Sequence, residues 1–170
     1  MSSLSRPVGS SSPNILMYTQ LRVFQKELHS MTPEDYEGKV NGLWGILLYH
    51  YFPSRLPGLP YGSLDETTGQ SKETECLFLV TQCKREAREA GNEAWNEGRE
   101  QLQRYLQGQA QLQSAPAMFF GIVAVGNYCT FYEFEPWENS LLAMNGGKRY
   151  HLVRDAAEVH GELMHIRDFH

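Results

Sequence analysis

Gln82 and Lys84 close an otherwise apolar run, CLFLVTQCKR, at Cys76–Arg85. On an extended strand, alternation puts these two residues on one side and Cys83 on the other. Downstream, Gln101 and Tyr105 are four residues apart and share a face if that segment is helical. Two carboxylates upstream, Glu37 and Asp65, complete a set that can converge on one end of a sheet. Hydrolysis of a phosphodiester needs carboxylates to hold a divalent cation and a lysine beside the attacking water or the developing charge. Oxygen ligands suit Mg²⁺, which keeps most of its waters and asks for few protein ligands. Each residue also has a plainer role. Glu37 suits the first turn of a helix, where an acid meets the positive end of the dipole. Lys84 and Arg85 suit a solvated strand end, and Gln101 and Tyr105 a pair at the core edge bonded to backbone.

Such a site needs a strand, two helices and a hairpin to hold it. MTPEDYEGKVNGLWGILLYHYF has Thr32, then Pro33 at a first helical position, with Glu34, Asp35 and Glu37 in the opening turn. Val40, Leu43, Trp44, Leu47, Leu48 and Tyr51 recur at three and four, the stripe of a half-buried helix that Pro53 stops. Residues 53–62 hold three prolines and two glycines and connect that helix to a hairpin, SLDET, TGQSK, TECLFLVTQ. Its second strand is apolar at nearly every position, as in a strand covered on both faces. Asp65 lies on the short first strand, and Glu66 and Glu75 are its rivals.

A long helix follows Arg85, with Ala94, Trp95, Gly98, Gln101, Leu102, Tyr105 and Leu106 in one stripe. Ala94 and Gly98 allow a close approach to a sheet, which outweighs the roughly 1 kcal/mol that Gly98 costs in helix propensity. AMFFGIVAVGNYCTFYEFEP then predicts strands at 117–125 and 128–134, joined by Gly126–Asn127. A loop around NGGK leads to RYHLVR, a last strand, and DAAEVHGELMHIRDFH closes the chain as a helix with Asp155 near its start. Residues 15–29 suit a short helix or a strand. The fold class is α/β, a mixed sheet flanked by helices.

At 170 residues with 41% hydrophobic composition, the chain is long enough for one domain over 15–170, after a flexible tail over 1–14. A net charge of −5 supplies no global basic field, so a phosphate-binding surface must be a local patch on an acidic body. Cys76, Cys83 and Cys129 are too few and too scattered for a disulfide framework or a CxxC metal site. They point to a reducing, intracellular compartment, nucleus or cytoplasm. No apolar run of membrane-spanning length occurs, which excludes a membrane helix. His160 and His165 are five apart, not the four of a helical zinc pair, and Tyr128, Phe131, Tyr132 and Phe134 suit sheet packing better than base stacking.

The apolar strand ending Gln-x-Lys, followed by QLQRY at Gln101–Tyr105, resembles the PD-(D/E)XK nuclease superfamily and the Q-x-x-x-Y motif of its RecB-like branch. The run LFLVTQCKREAREAGNEAWNEGREQLQRYL…MFFGIVAVGNYCTFYEF is most similar to uncharacterised fungal nuclease-like domains. The resemblance spans roughly 34–135, with the strand and helix of 148–170 outside it. It implies a restriction-endonuclease-like core of αβββαβ type and an Mg²⁺- or Mn²⁺-dependent nuclease acting on DNA or RNA. Glu37 would help place metal-bound water, Asp65 would ligate the metal, and Lys84 matches the motif lysine. Gln82 stands where the family has its second acid; its amide oxygen can ligate a cation but carries no charge. Arg85, Gln101 and Tyr105 would support the site or touch the nucleic-acid backbone. The same pattern fits a nuclease fold that has lost cutting and serves as a binding or interaction module, with a homodimer among its forms.

Overall fold

The helix period and the apolar runs resolve into alternating helices and strands in a computed structural model that describes residues 15–32, 37–53, 79–84, 91–112 and 118–169. For Glu37 and for residues 79–84 it describes the backbone. A 3₁₀ turn at Tyr18–Gln20 leads into α1 (Arg22–Ser30), so the ambiguous segment 15–29 forms helix rather than strand. α2 (Glu37–Tyr51) carries the predicted stripe, with Val40, Leu43, Trp44, Leu47 and Tyr51 all buried. The capping residues 33–36, the hairpin strand bearing Asp65, Arg85 and the tail over 1–14 lie outside the described residues.

β1 (Leu79–Lys84) precedes α3 (Asn92–Leu112), which returns the chain to β2 (Phe119–Val125). β1 and β2 are parallel neighbours, as a helical crossover requires. β3 (Tyr128–Glu135) folds back antiparallel on β2 through Gly126, whose φ of 56° is the left-handed conformation that the tight turn demands. Beyond β3 the sheet divides. β4 (Ser140–Ala143) pairs with its second half and β5 (Tyr150–His151) with its first. β4 is a strand that sequence periodicity does not reveal; four residues are too short to display alternation. The NGGK loop is a turn with left-handed Asn145, Gly146 and Gly147, and α4 (Ala156–Phe169) closes the fold as predicted. The sheet is therefore mixed, with five strands in the described residues, and helices cover both faces.

Every residue of β2 is buried because its two sides serve two cores. Phe120, Ile122 and Ala124 meet Phe131, Tyr150 and the buried stripes of α1, α2 and α4. Phe119, Val123 and Val125 meet Tyr132, Phe134 and the α3 residues Ala94, Trp95, Leu102 and Leu106. The second contact is close. A Cβ on Gly98 would lie 2.7 Å from Val123 Cγ1, and one on Gly121 would lie 2.5 Å from Leu102 Cδ2. Two missing side chains, one on the helix and one on the strand, set the distance between α3 and the sheet.

Candidate functional site

The parallel register fixes where the Gln-x-Lys pair stands. Gln82 is opposite Val123 and Lys84 opposite Val125, and both β2 residues belong to the core under α3. The pair thus occupies positions on the α3 face of the sheet, towards the carboxyl end of the parallel strands. In open α/β sheets that end is where ligands gather. The Lys84 row continues across the sheet from Val125 to Tyr128 and from Tyr128 to His151.

Helix periodicity orients α3 over this row. Trp95 and Arg99, one turn apart, lie on the flank nearer β3 and β5: Arg149 covers the Trp95 ring, and Arg99 acts on Tyr132. Glu97 and Gln101 fall on the opposite flank, nearer β1. They are joined there, Gln101 Nε2 donating to Glu97 Oε1 at 3.1 Å, and Gln101 is half-buried. Glu97 is the residue that sequence reasoning passes over. Its signal was present as the i, i+4 spacing to Gln101, but a carboxylate on a Glu-rich helix is easily read as solvated surface.

Gly98 is level with Val123, Leu102 with Gly121, and α3 runs antiparallel to β1. Ala94 therefore stands near the Lys84 level, Glu97 near Gln82, and Gln101 one turn further towards the start of β1. Tyr105 is another turn along, about 10 Å of helix from the Gly98 level, and its side chain is 44% exposed. Gln101 and Tyr105 share a side of α3, yet only Gln101 has a polar partner among the described residues. Glu37 is the first residue of α2, and α2 packs against β1 from the other face.

The opposite core holds a separate polar cluster, at the edge of a cavity of about 290 Å³ lined by Ile15, Leu16, Met17, Gln20 and His160. The Tyr51 hydroxyl, buried and pushed up to about 12 chiefly by desolvation, lies 2.5 Å from His160 Nδ1. The two groups share one hydrogen bond, whose donor is set by the imidazole tautomer. Burial, then His50 and Arg167, hold His160 below the usual imidazole range. The Tyr18 hydroxyl donates to Leu152 O at 2.5 Å. These bonds tie the 3₁₀ turn, α2 and α4 together.

Among the described residues no group of three or more His, Cys, Asp or Glu side chains could hold a metal ion, and no helix is long and apolar enough to cross a membrane. The proposed oxygen donors belong to Asp65, outside the described residues, and to Glu37 and Gln82, described in backbone. By donor chemistry, two carboxylates and an amide oxygen suit a hard divalent cation. Comparison with protein-family models, with curated proteins and with solved structures finds no match to this chain.

Proposed function

We propose that the protein is a divalent-metal-dependent nuclease that hydrolyses phosphodiester bonds of DNA or RNA through a Gln-x-Lys variant of the PD-(D/E)XK motif. One observation carries the reading. The β1–α3–β2 crossover brings Gln82 and Lys84 to adjacent same-face positions near the carboxyl end of a parallel pair, beneath the flank of α3 that bears Glu97 and Gln101. A lysine held at the end of a buried strand can place positive charge where negative charge develops on a phosphate.

In this reading Asp65, Gln82 and Glu37 hold Mg²⁺ or Mn²⁺, which when bound supplies positive charge at the scissile phosphate and an acidic water. Lys84 stabilises negative charge developing on the phosphoryl oxygens. Glu97 holds the Gln101 amide in a fixed orientation beside β1, and Arg85 and Tyr105 extend the contact to the backbone of the substrate.

Incubation with single- and double-stranded DNA and RNA, with Mg²⁺ or Mn²⁺, tests the proposal. Lys84→Ala is expected to lower cleavage by roughly a hundred- to a thousand-fold, and unchanged cleavage would remove Lys84 from the mechanism. Gln82→Glu is expected to raise activity by restoring a charged ligand. The uncharged Gln82 also favours a second reading, a nuclease-fold module that binds without cutting. Absence of cleavage by folded wild type and by Gln82→Glu alike, under every condition, selects that reading.

A further inference from the structure

Three arginines gather on the α3 side of β3, outside the Gln-x-Lys constellation. Arg154 lies over Tyr128, its guanidinium carbon 5.5 Å from the ring centroid, and its Nη2 donates to the Tyr128 hydroxyl. Arg149 lies over Trp95 at 4.5 Å, and its Nη2 donates to Asn92 Oδ1 at 2.8 Å. Arg99 is one turn beyond Trp95, and it and Arg149 both oppose the rise that burial imposes on the Tyr132 phenol. Tyr128 and Tyr132 lie on the same side of β3, and pairing of Cys129 with Tyr150 brings Arg149 level with Thr130 between them. Arg154 thus belongs to the Tyr128 level and Arg149 to the Thr130 level, about two strand residues apart, while Arg99 joins Arg149 beside Tyr132.

All three are exposed, and none forms an ion pair among the described residues, unlike Lys148 with Glu158 and Arg167 with Asp168. Asp155, next to Arg154 in the chain, is engaged by the His151 backbone N–H at 2.7 Å. Stacking on Trp95 and Tyr128 restrains two long side chains in advance, while part of the guanidinium edge is left to donate. Such a donor edge matches phosphate oxygens. Against a net charge of −5 over the whole chain, this group of cations is a local departure from the protein's own field.

We infer that Arg99, Arg149 and Arg154 form a phosphate-binding rail that holds one strand of a nucleic acid along β3, with the Arg154 end in the same sheet row as Lys84. Guanidiniums carried on separate rings, Arg149 on Trp95 and Arg154 on Tyr128, suit successive phosphates of one strand better than a single small anion. Trp95, 4% exposed, acts as a support for Arg149 and offers no free face to a base. The use of the bound strand as substrate rests on the nuclease reading; the binding itself does not.

The test is fluorescence anisotropy of a short labelled single-stranded DNA with full-length Lys84→Ala protein in EDTA, where no cleavage occurs. Three phosphate contacts predict a slope of log K against log salt near −2, about a twenty-fold loss of affinity between about 50 and 200 mM. Arg149→Gln and Arg154→Gln should each reduce the slope by about 0.7, and the triple Gln variant should lose at least roughly ten-fold in affinity at the lower salt. Arg149→Lys, which keeps the charge, should retain the slope. Circular dichroism melts establish that each variant is folded; should the triple variant not fold, the single variants decide. An unchanged slope and affinity in folded Gln variants would overturn the rail, as would equal competition by polyglutamate of matched charge. Binding that follows these expectations, with no cleavage in Mg²⁺ by wild type or by Gln82→Glu, retires the nuclease reading and keeps the rail. Cleavage with unaltered KM in the triple variant does the reverse.

Discussion

The two faces of the sheet use polar groups in opposite ways. Under α1, α2 and α4, hydroxyls and imidazole turn inward and are spent on one another: Tyr18 on Leu152, Tyr51 on His160. Under α3, the small residues Gly98 and Gly121 bring helix and sheet into contact, and polar groups collect along the helix flanks. Glu97 and Gln101 lie on one flank, Trp95 and Arg99 on the other. The first face is a closed core whose hydrogen bonds fasten elements distant in sequence. The second is a thin core with two polar margins. A buried polar group must be satisfied internally, whereas one at a helix margin can keep bonding capacity for a ligand.

Substitutions can break this contrast, beginning with the closed face. Phe131 is fully buried and packs edge-on against Tyr150, 5.9 Å between centroids. Phe131→Ala should destabilise by about 3–5 kcal/mol in thermal or urea unfolding. On the other face Gly121→Ala should cost about 1–3 kcal/mol by overpacking against Leu102, and it should also weaken function by lifting α3 from the Gln82–Lys84 positions. A fold that tolerated Gly121→Ala with full activity would show that the α3 contact does not set the site.

Tyr51→Phe removes the hydroxyl bonded to His160 Nδ1 and should cost about 1 kcal/mol. It should leave nucleic-acid binding unchanged, because it lies across the sheet. The same pair governs pH dependence. His160 and His151 both have folded-state values below the ordinary imidazole range, chiefly through burial. Below about pH 6.5 the unfolded chain then binds more protons than the folded one, so stability falls on acidification through the window down to the depressed values. Melting temperature followed from neutral to mildly acidic pH should decline, and His160→Gln should flatten part of the decline. The smallest expected effect on stability is that of Arg149→Gln, about 0.5–1 kcal/mol from its exposed position over Trp95, although its effect on binding should be among the largest.

Much of the scaffold was legible from residue types alone. The stripe from Val40 to Tyr51, the wholly apolar β2, the Gly126 turn and the α3 stripe are each local patterns with a period. β4 was not, since Ser140–Ala143 owes its pairing to β3 rather than to its own alternation. The two margins differ in the same way. Gln82, Lys84 and Gln101 could be marked because strand and helix periods relate them. Arg149 and Arg154 could not be joined to Arg99, which is fifty residues earlier on another element. The basic residues of KRYHLVR were visible, but nothing in that run says which side of a two-residue strand they serve.

The sequence by itself determined which residues are apolar at strand and helix periods, and so the elements, the layered class and the end of β1 where polar chemistry begins. Tertiary structure decided the register of β1 on β2, the flank of α3 that faces β1, and the gathering of three arginines on the α3 side of β3. Local periodicity is a property of neighbouring residues and can be read along the chain. Register and juxtaposition depend on which cores close together, and Gly98 against Val123 and Gly121 against Leu102 settle that only when the whole chain has packed.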